Sequence, residues 1–226
     1  MGRPRRVTAG GIVYHVLNRA NRRAKIFHKP RDYAAFIKIL AEGLERTPCR
    51  LLGLCVMPNH WHLVLWPHGD GDLSRLMAWI SNTHVKRYRQ HYHDKIGGHL
   101  YQGRYKSFPV QEDEHLLTVL RYVEANPLRA HLADRAGEWP WSGDALRKGQ
   151  FAPLLSEWPL PRPPDWSDWV ESRWKEDELR EVRTSIARGR PFGQKLWVIA
   201  TVRRLGLEIT LRSRGGQNAN DKIDPT

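Results

Sequence analysis

Apolar and branched residues alternate with others along GIVYHVLN, Gly11 to Asn18, the period-two pattern of a strand with two distinct faces. From Pro30 to Arg46 the period lengthens. Tyr33, Phe36, Ile37, Leu40 and Leu44 recur at the 3.6-residue spacing of an amphipathic helix. Two further strands, Arg50 to Val56 and His60 to Trp66, are separated only by Met57-Pro58-Asn59, whose Pro and Asn favour a turn, so a hairpin is expected. Asp72 to about Tyr92 reads as a second helix, with Leu73, Leu76, Met77 and Ile80 on its buried side and Asp72 or Ser74 placed to cap its start. Gly97-Gly98 breaks the chain, and Lys106 to Gln111 reads as a fourth strand that Pro109 confines to an edge or a bulge. Glu112 to Asn126 is then a third helix with the stripe Leu116, Leu117, Leu120 and Val123, ended by Pro127 through its restriction on the residue before it.

Strand, helix, strand, strand, helix, strand, helix is the order of a ferredoxin-like α+β layer, an antiparallel sheet with packed helices. That unit is expected to occupy residues 1–135. Between Trp139 and Trp169 stand Pro140, Pro153, Pro159, Pro161, Pro163 and Pro164 among several tryptophans, which suits an irregular arm over residues 136–170 packed on the core. Residues 171–188 and 192–205 read as two helices separated by Gly189-Arg190-Pro191, a helical extension spanning 171–215. Residues 216–226 carry no pattern and are expected to be a disordered tail.

Charge narrows the partners. At 226 residues with a formal net charge of +13 and a pI near 10.1, the chain is suited to a polyanion, nucleic acid first among them. Residues 1–31 hold nine Lys and Arg, including Arg5 and Arg6, with no acid; residues 183–214 hold eight against Glu208 alone. These are two candidate phosphate-tracking surfaces. No signal-like apolar stretch follows the basic N-terminus and no run of about 18 apolar residues occurs, so a cytoplasmic protein without membrane contact is expected. Cys49 and Cys55, at opposite ends of a strand, stand ~20 Å apart, beyond disulfide reach.

The chemistry concentrates in Met57-Pro58-Asn59-His60-Trp61-His62. On a strand, i and i+2 side chains share a face about 6.6 Å apart, so both imidazoles can reach one ion while Trp61, Leu63 and Leu65 bury the other face. Two ligands leave an ion under-coordinated, and Asn126 offers a third, one helical turn from Tyr122. Neutral imidazoles with an amide oxygen favour Mg²⁺ or Mn²⁺ recruited with phosphate over a closed zinc site. Tyr122 is the candidate nucleophile, a phenol that needs a phosphate made electrophilic and a route for its proton. Gln102, Arg104, Tyr105 and Lys106 mix cations with a stackable ring, as single-stranded DNA favours. Arg19, Asn21, Arg22 and Arg23 offer phosphate and base-edge contacts after the first strand, and Arg188, Arg190, Arg203, Arg204, Arg212 and Arg214 do so from the extension.

The His-hydrophobe-His pair with a single downstream tyrosine resembles the HUH single-tyrosine transposases. GIVYHVLNRANRRAKIF (Gly11 to Phe27), VMPNHWHLVLW (Val56 to Trp66), YQGRYKSFP (Tyr101 to Pro109), RYVEANPLRA (Arg121 to Ala130) and the run from Arg188 to Gly215, with RGRPFG and RRLGLE, are similar to the REP-associated tyrosine transposases. The resemblance implies the HUH endonuclease fold with a C-terminal helical extension. It also implies an enzyme that cleaves and rejoins single-stranded DNA beside hairpins of repetitive extragenic palindromes, through a 5′-phosphotyrosine intermediate. Under it His60 and His62 become metal ligands, Tyr122 the nucleophile and Asn126 the third ligand, although insertion-sequence relatives commonly place Gln there. Insertion-sequence relatives dimerise, whereas the repeat-associated group can act as monomers, and the long C-terminal arm favours a monomer here. The alternative is a catalytically silent hairpin-binding regulator, against which the intact His60, His62 and Tyr122 stand.

Overall fold

The strands β1 (Val13–Arg19), β2 (Cys49–Met57), β3 (His60–Pro67) and β4 (Lys106–Val110) form one antiparallel sheet in the order β2-β3-β1-β4. The computed structural model describes residues 8–93 and 98–212; Arg5, Arg6, Arg214 and the expected tail lie outside the described residues. Because β1 and β2 both oppose β3, they run parallel, joined by the crossover helix α1 (Pro30–Arg46). Helix α2 (Asp72–Tyr92) returns the chain to β4. This is the ferredoxin-like α+β arrangement that the element order predicts.

The period-two pattern gives the sheet two apolar faces. Tyr14, Val16, Trp61, Leu63 and Leu65 pack beneath α1 and α2. Val13, Val64, Phe108 and Val110 pack instead beneath α3 (Glu114–Glu124). A bulge between Leu51 and Gly53 lets β2 keep its register with β3, and the bare Gly53 admits the Leu120 side chain from α3. β4 is the edge strand that Pro109 predicts, and its outer side is covered where Phe192 exchanges backbone hydrogen bonds with Pro109 and Gln111.

Several boundaries differ from the sequence expectation for local reasons. Helix α2 takes no side-chain cap from Asp72 or Ser74: Gly71 stands at its N-cap, and Asp72 in the first turn accepts the Gly69 N–H at 2.6 Å. α3 starts at Glu114 because Asp113 caps it, accepting from the His115 N–H. Pro127 does not end the helical path. The chain breaks at Ala125 and resumes as the short α4 (Asn126–Arg129), where proline occupies the first turn and no N–H is missed. The Pro/Trp-rich arm, expected to be irregular, contains α5 (Gly143–Arg147) and ends in α6 (Trp166–Glu171), neither of them evident from periodicity. The extension's helices are α7 (Glu176–Arg188), shorter than the expected 171–188, and α8 (Lys195–Leu205). Cys49 and Cys55 are both free thiols. Among the described residues, no helix is long and apolar enough to cross a membrane.

One buried polar chain locks the α1/α2 side. The Trp61 indole N–H donates to Tyr101 Oη at 3.0 Å, and Tyr101 Oη meets His84 Nδ1 at 2.5 Å. Burial pushes the Tyr101 phenol pKa up and pulls His84 down to about 4, so a phenolic O–H donates to a neutral imidazole. Tyr101→Phe strands both partners in the core. The expected result is a loss of about 2–4 kcal/mol, read as a lower urea midpoint at unchanged slope.

Candidate active site

His60 and His62 stand on β3 on the face covered by α3, their ring centroids 5.1 Å apart. The strand's alternation sends Trp61 into the opposite core, where it is fully buried. Tyr122 descends from α3 onto the same face. Its ring lies 6.0 Å from that of His62, and only 9% of its surface is exposed. Residues about sixty positions apart in sequence thus converge on one face of the sheet.

Each imidazole is held through its Nδ1 atom. His60 Nδ1 meets Asn59 Oδ1 at 2.6 Å, so it is the protonated nitrogen and Nε2 carries the lone pair. His62 Nδ1 meets His15 Nε2 at 2.8 Å, across the β1/β3 pairing. If His62 donates from Nδ1, its Nε2 is likewise left as a lone-pair donor. Burial pulls His15 down to about 3. Burial, aided by Arg19, pulls His60 down to about 4. His62 is held well below the ordinary range by burial first, then by His15, His60, Arg129 and Arg19. All three rings are neutral at pH 7, the protonation state that a metal ligand needs. A donor set of two neutral imidazoles, each oriented from behind by a second group, fits a divalent cation.

Asn126 opens α4 and its carboxamide nitrogen donates to the Tyr122 carbonyl at 3.0 Å and the Val123 carbonyl at 3.2 Å, closing the end of α3. The carboxamide oxygen therefore points away from those carbonyls. Asn126 is tied to the backbone of the nucleophile's own turn, and none of its hydrogen bonds among the described residues is to His60 or His62.

Two residues absent from the sequence expectation enter the site. His15 shares the alternating face of Val13 and Leu17, and a histidine at an inward position of a central strand was the signal that could have found it. Arg129 leaves no such trace. Its guanidinium lies 4.2 Å from the Tyr122 ring centroid, and Nη2 donates to the Tyr122 carbonyl at 2.8 Å. The arm closes the site from outside. Arg121 donates to the Trp169 and Ser172 carbonyls and pairs with Glu178 at 3.2 Å, and this holds the Trp174 indole 6.1 Å from Tyr122.

The candidate DNA-contact residues are divided by the sheet. Arg19 is paired with His60 in the β1/β3 register and Lys106 with Leu17, so both reach the end of the sheet that carries the histidines. Asn21, Arg22 and Arg23 form an exposed turn beyond Arg19, with left-handed φ at Arg22 and Arg23. Arg104 and Tyr105 line a groove of about 1390 Å³ on the α2 side, together with Asn82, Lys86 and Arg89. Gln102 is exposed nearby, its N–H donating to the Arg19 carbonyl. Arg203 and Arg204 are exposed on α8, Arg190 is half-buried, and Arg188 donates to the carbonyl of exposed Arg212. Asp113, Glu114 and His115 also bring ligand atoms within 4.8 Å of one another, but Asp113 Oδ1 is engaged in capping α3 and bonding His115.

Known proteins share this framework. A protein of Haemophilus influenzae carrying the name REP-associated tyrosine transposase is 21% identical over 147 residues, 60% of this chain and 80% of that one. A solved structure described as a REP-associated tyrosine transposase bound to a REP hairpin superposes with a TM-score of 0.53 at 20% identity, covering 69% of this chain and 89% of that chain, and so shares the fold. Residues 8–126, spanning β1 through Asn126, match the family described as transposase, IS200-like. With more than half its length matched, including His60, His62 and Tyr122, the chain belongs to the IS200-like transposases.

Proposed function

We propose that the protein is a metal-dependent endonuclease and strand-transferase acting on single-stranded DNA beside hairpins of palindromic repeats. The observation that carries this reading is the convergence of Tyr122 with two neutral imidazoles whose Nδ1 atoms are both engaged, which leaves Nε2 of each as the nitrogen uncommitted to that contact. His60 and His62 would hold Mg²⁺ or Mn²⁺, with Asn126 Oδ1 as the third protein donor. A bound divalent cation supplies Lewis-acid polarisation of the scissile phosphate.

Tyr122 Oη then forms a bond to phosphorus as the P–O3′ bond breaks. The phenol proton passes to water, and the departing O3′ takes one up. One phosphoester replaces another, so a second 3′-hydroxyl reverses the step without ATP. Arg19, Lys106 and the turn Asn21 to Arg23 would track the strand around the sheet's end, between the active face and the groove bearing Arg104 and Tyr105. We assign the remaining cations, Arg188, Arg190, Arg203, Arg204 and Arg212, to the hairpin stem. The arm completes the site within one chain, which favours a monomer.

Incubation with hairpin-flanked single-stranded oligonucleotides and Mg²⁺ or Mn²⁺ is expected to yield a denaturation-resistant protein–DNA adduct that EDTA prevents. Tight, salt-dependent hairpin binding without adduct under any metal would support a silent DNA-binding protein instead.

His15 acts behind the ligand. His15→Phe keeps the ring but removes the Nε2 acceptor from His62, and is expected to weaken Mn²⁺ affinity by about tenfold or more. Calorimetric titration of Mn²⁺ into the DNA-free protein checks this; an unchanged affinity excludes the orienting role.

A further inference from the structure

The site holds an arginine whose charge has no counter-ion among the described residues. Arg129 uses Nη2 on the Tyr122 carbonyl, while Nη1 is shut from solvent with no hydrogen-bond partner among the described residues. No carboxylate among the described residues forms an ion pair with it. Arg121, two turns earlier on α3, is the contrast. There Nε, Nη1 and Nη2 are all matched by Trp169, Glu178 and Ser172.

A buried guanidinium without an anion is costly to keep, and desolvation pulls the Arg129 pKa below its ordinary value. It is retained beside neutral imidazoles, and it is near enough to His62 to help depress that ring. Its plane lies over the Tyr122 ring at 4.2 Å and 5.8 Å from the Trp174 ring, so stacking fixes the fork in place. The missing partner is an anion that arrives next to Tyr122.

We infer that Arg129 is a catalytic residue whose free Nη1 donates to a non-bridging oxygen of the scissile phosphate. The inference rests on Tyr122 being the nucleophile. A guanidinium preset at the place where charge gathers in phosphoryl transfer stabilises that transition state, as other phosphoryl-transfer sites use arginine. The Trp174 indole has to move aside for the phosphate to enter.

The test compares two hairpin-flanked single-stranded DNAs, one with an ordinary scissile phosphodiester and one with a neutral methylphosphonate there, which lacks one non-bridging oxygen and the charge. Arg129→Ala is expected to slow adduct formation on the phosphodiester by about 100-fold, and on the methylphosphonate by under about threefold. Arg129→Lys, retaining charge but not the fork, falls between. A variant that is merely misfolded slows both DNAs alike, so equal losses overturn the inference, as does a rate on the phosphodiester within threefold of the parent. Tyr122→Phe serves as the separate control: if it still forms adduct, the nucleophile assignment fails, whereas if it does not while the Arg129 variants react normally, only the role of Arg129 fails.

Discussion

Tyr122→Phe abolishes the protein–DNA adduct and lowers strand cleavage by at least about 10⁴-fold, the scale on which removal of a covalent nucleophile acts. The substitution isolates the hydroxyl. The ring keeps its contacts with His62, His15, Trp174 and the Arg129 guanidinium, and the backbone carbonyl still receives Arg129 and Asn126. Stability and hairpin affinity should therefore move little, because affinity comes from cations spread along the strand. Denaturing electrophoresis of the adduct, with filter binding on the same preparations, measures both. An adduct of parental yield from the variant would place the nucleophile on another residue.

Acid unfolds the protein through its histidines. Unfolded, an imidazole takes up its proton near pH 6.5; folded, His60 and His84 do so only near 4 and His15 only near 3. Between those values the unfolded chain binds more protons, so each ring's contribution is full above about pH 6.5 and is lost as pH falls toward 4. As upper figures this amounts to roughly 3 kcal/mol for the nearly inaccessible His84 and roughly 5 kcal/mol for His15, set against about 5–15 kcal/mol for a whole domain. The melting temperature is thus expected to drop steeply from pH 6.5 to 4.5. A melting temperature flat across that range would mean that these rings are already protonated in the folded protein, or that they are charged in it at no cost.

Much of this is legible from periodicity. The bounds expected for α1 and α2 match residue for residue, because long amphipathic stripes average over many positions. Pro109 identifies the edge strand and the i, i+2 rule puts His60 beside His62, both consequences of the pleat alone. α6 was hidden by its short length, and the start of α3 was decided by the capping geometry of Asp113.

His15, Arg129 and Trp174 mark where reading along the chain stops. His15 meets His62 across 47 positions, through a strand register that depends on which strand pairs with which. Arg129 comes to the Tyr122 ring because the helical path breaks at Ala125 and resumes as α4, which packs against β2. Trp174 arrives by way of Arg121, which binds a segment some fifty residues downstream. The one-dimensional pattern determines the strands, the helices and the shared face of two imidazoles, since those follow from backbone periods. Which imidazole nitrogen is free, and that an unpaired cation stands beside the phenol, only the folded chain decides, because hydrogen-bond pairing and burial between distant segments leave no period in the sequence.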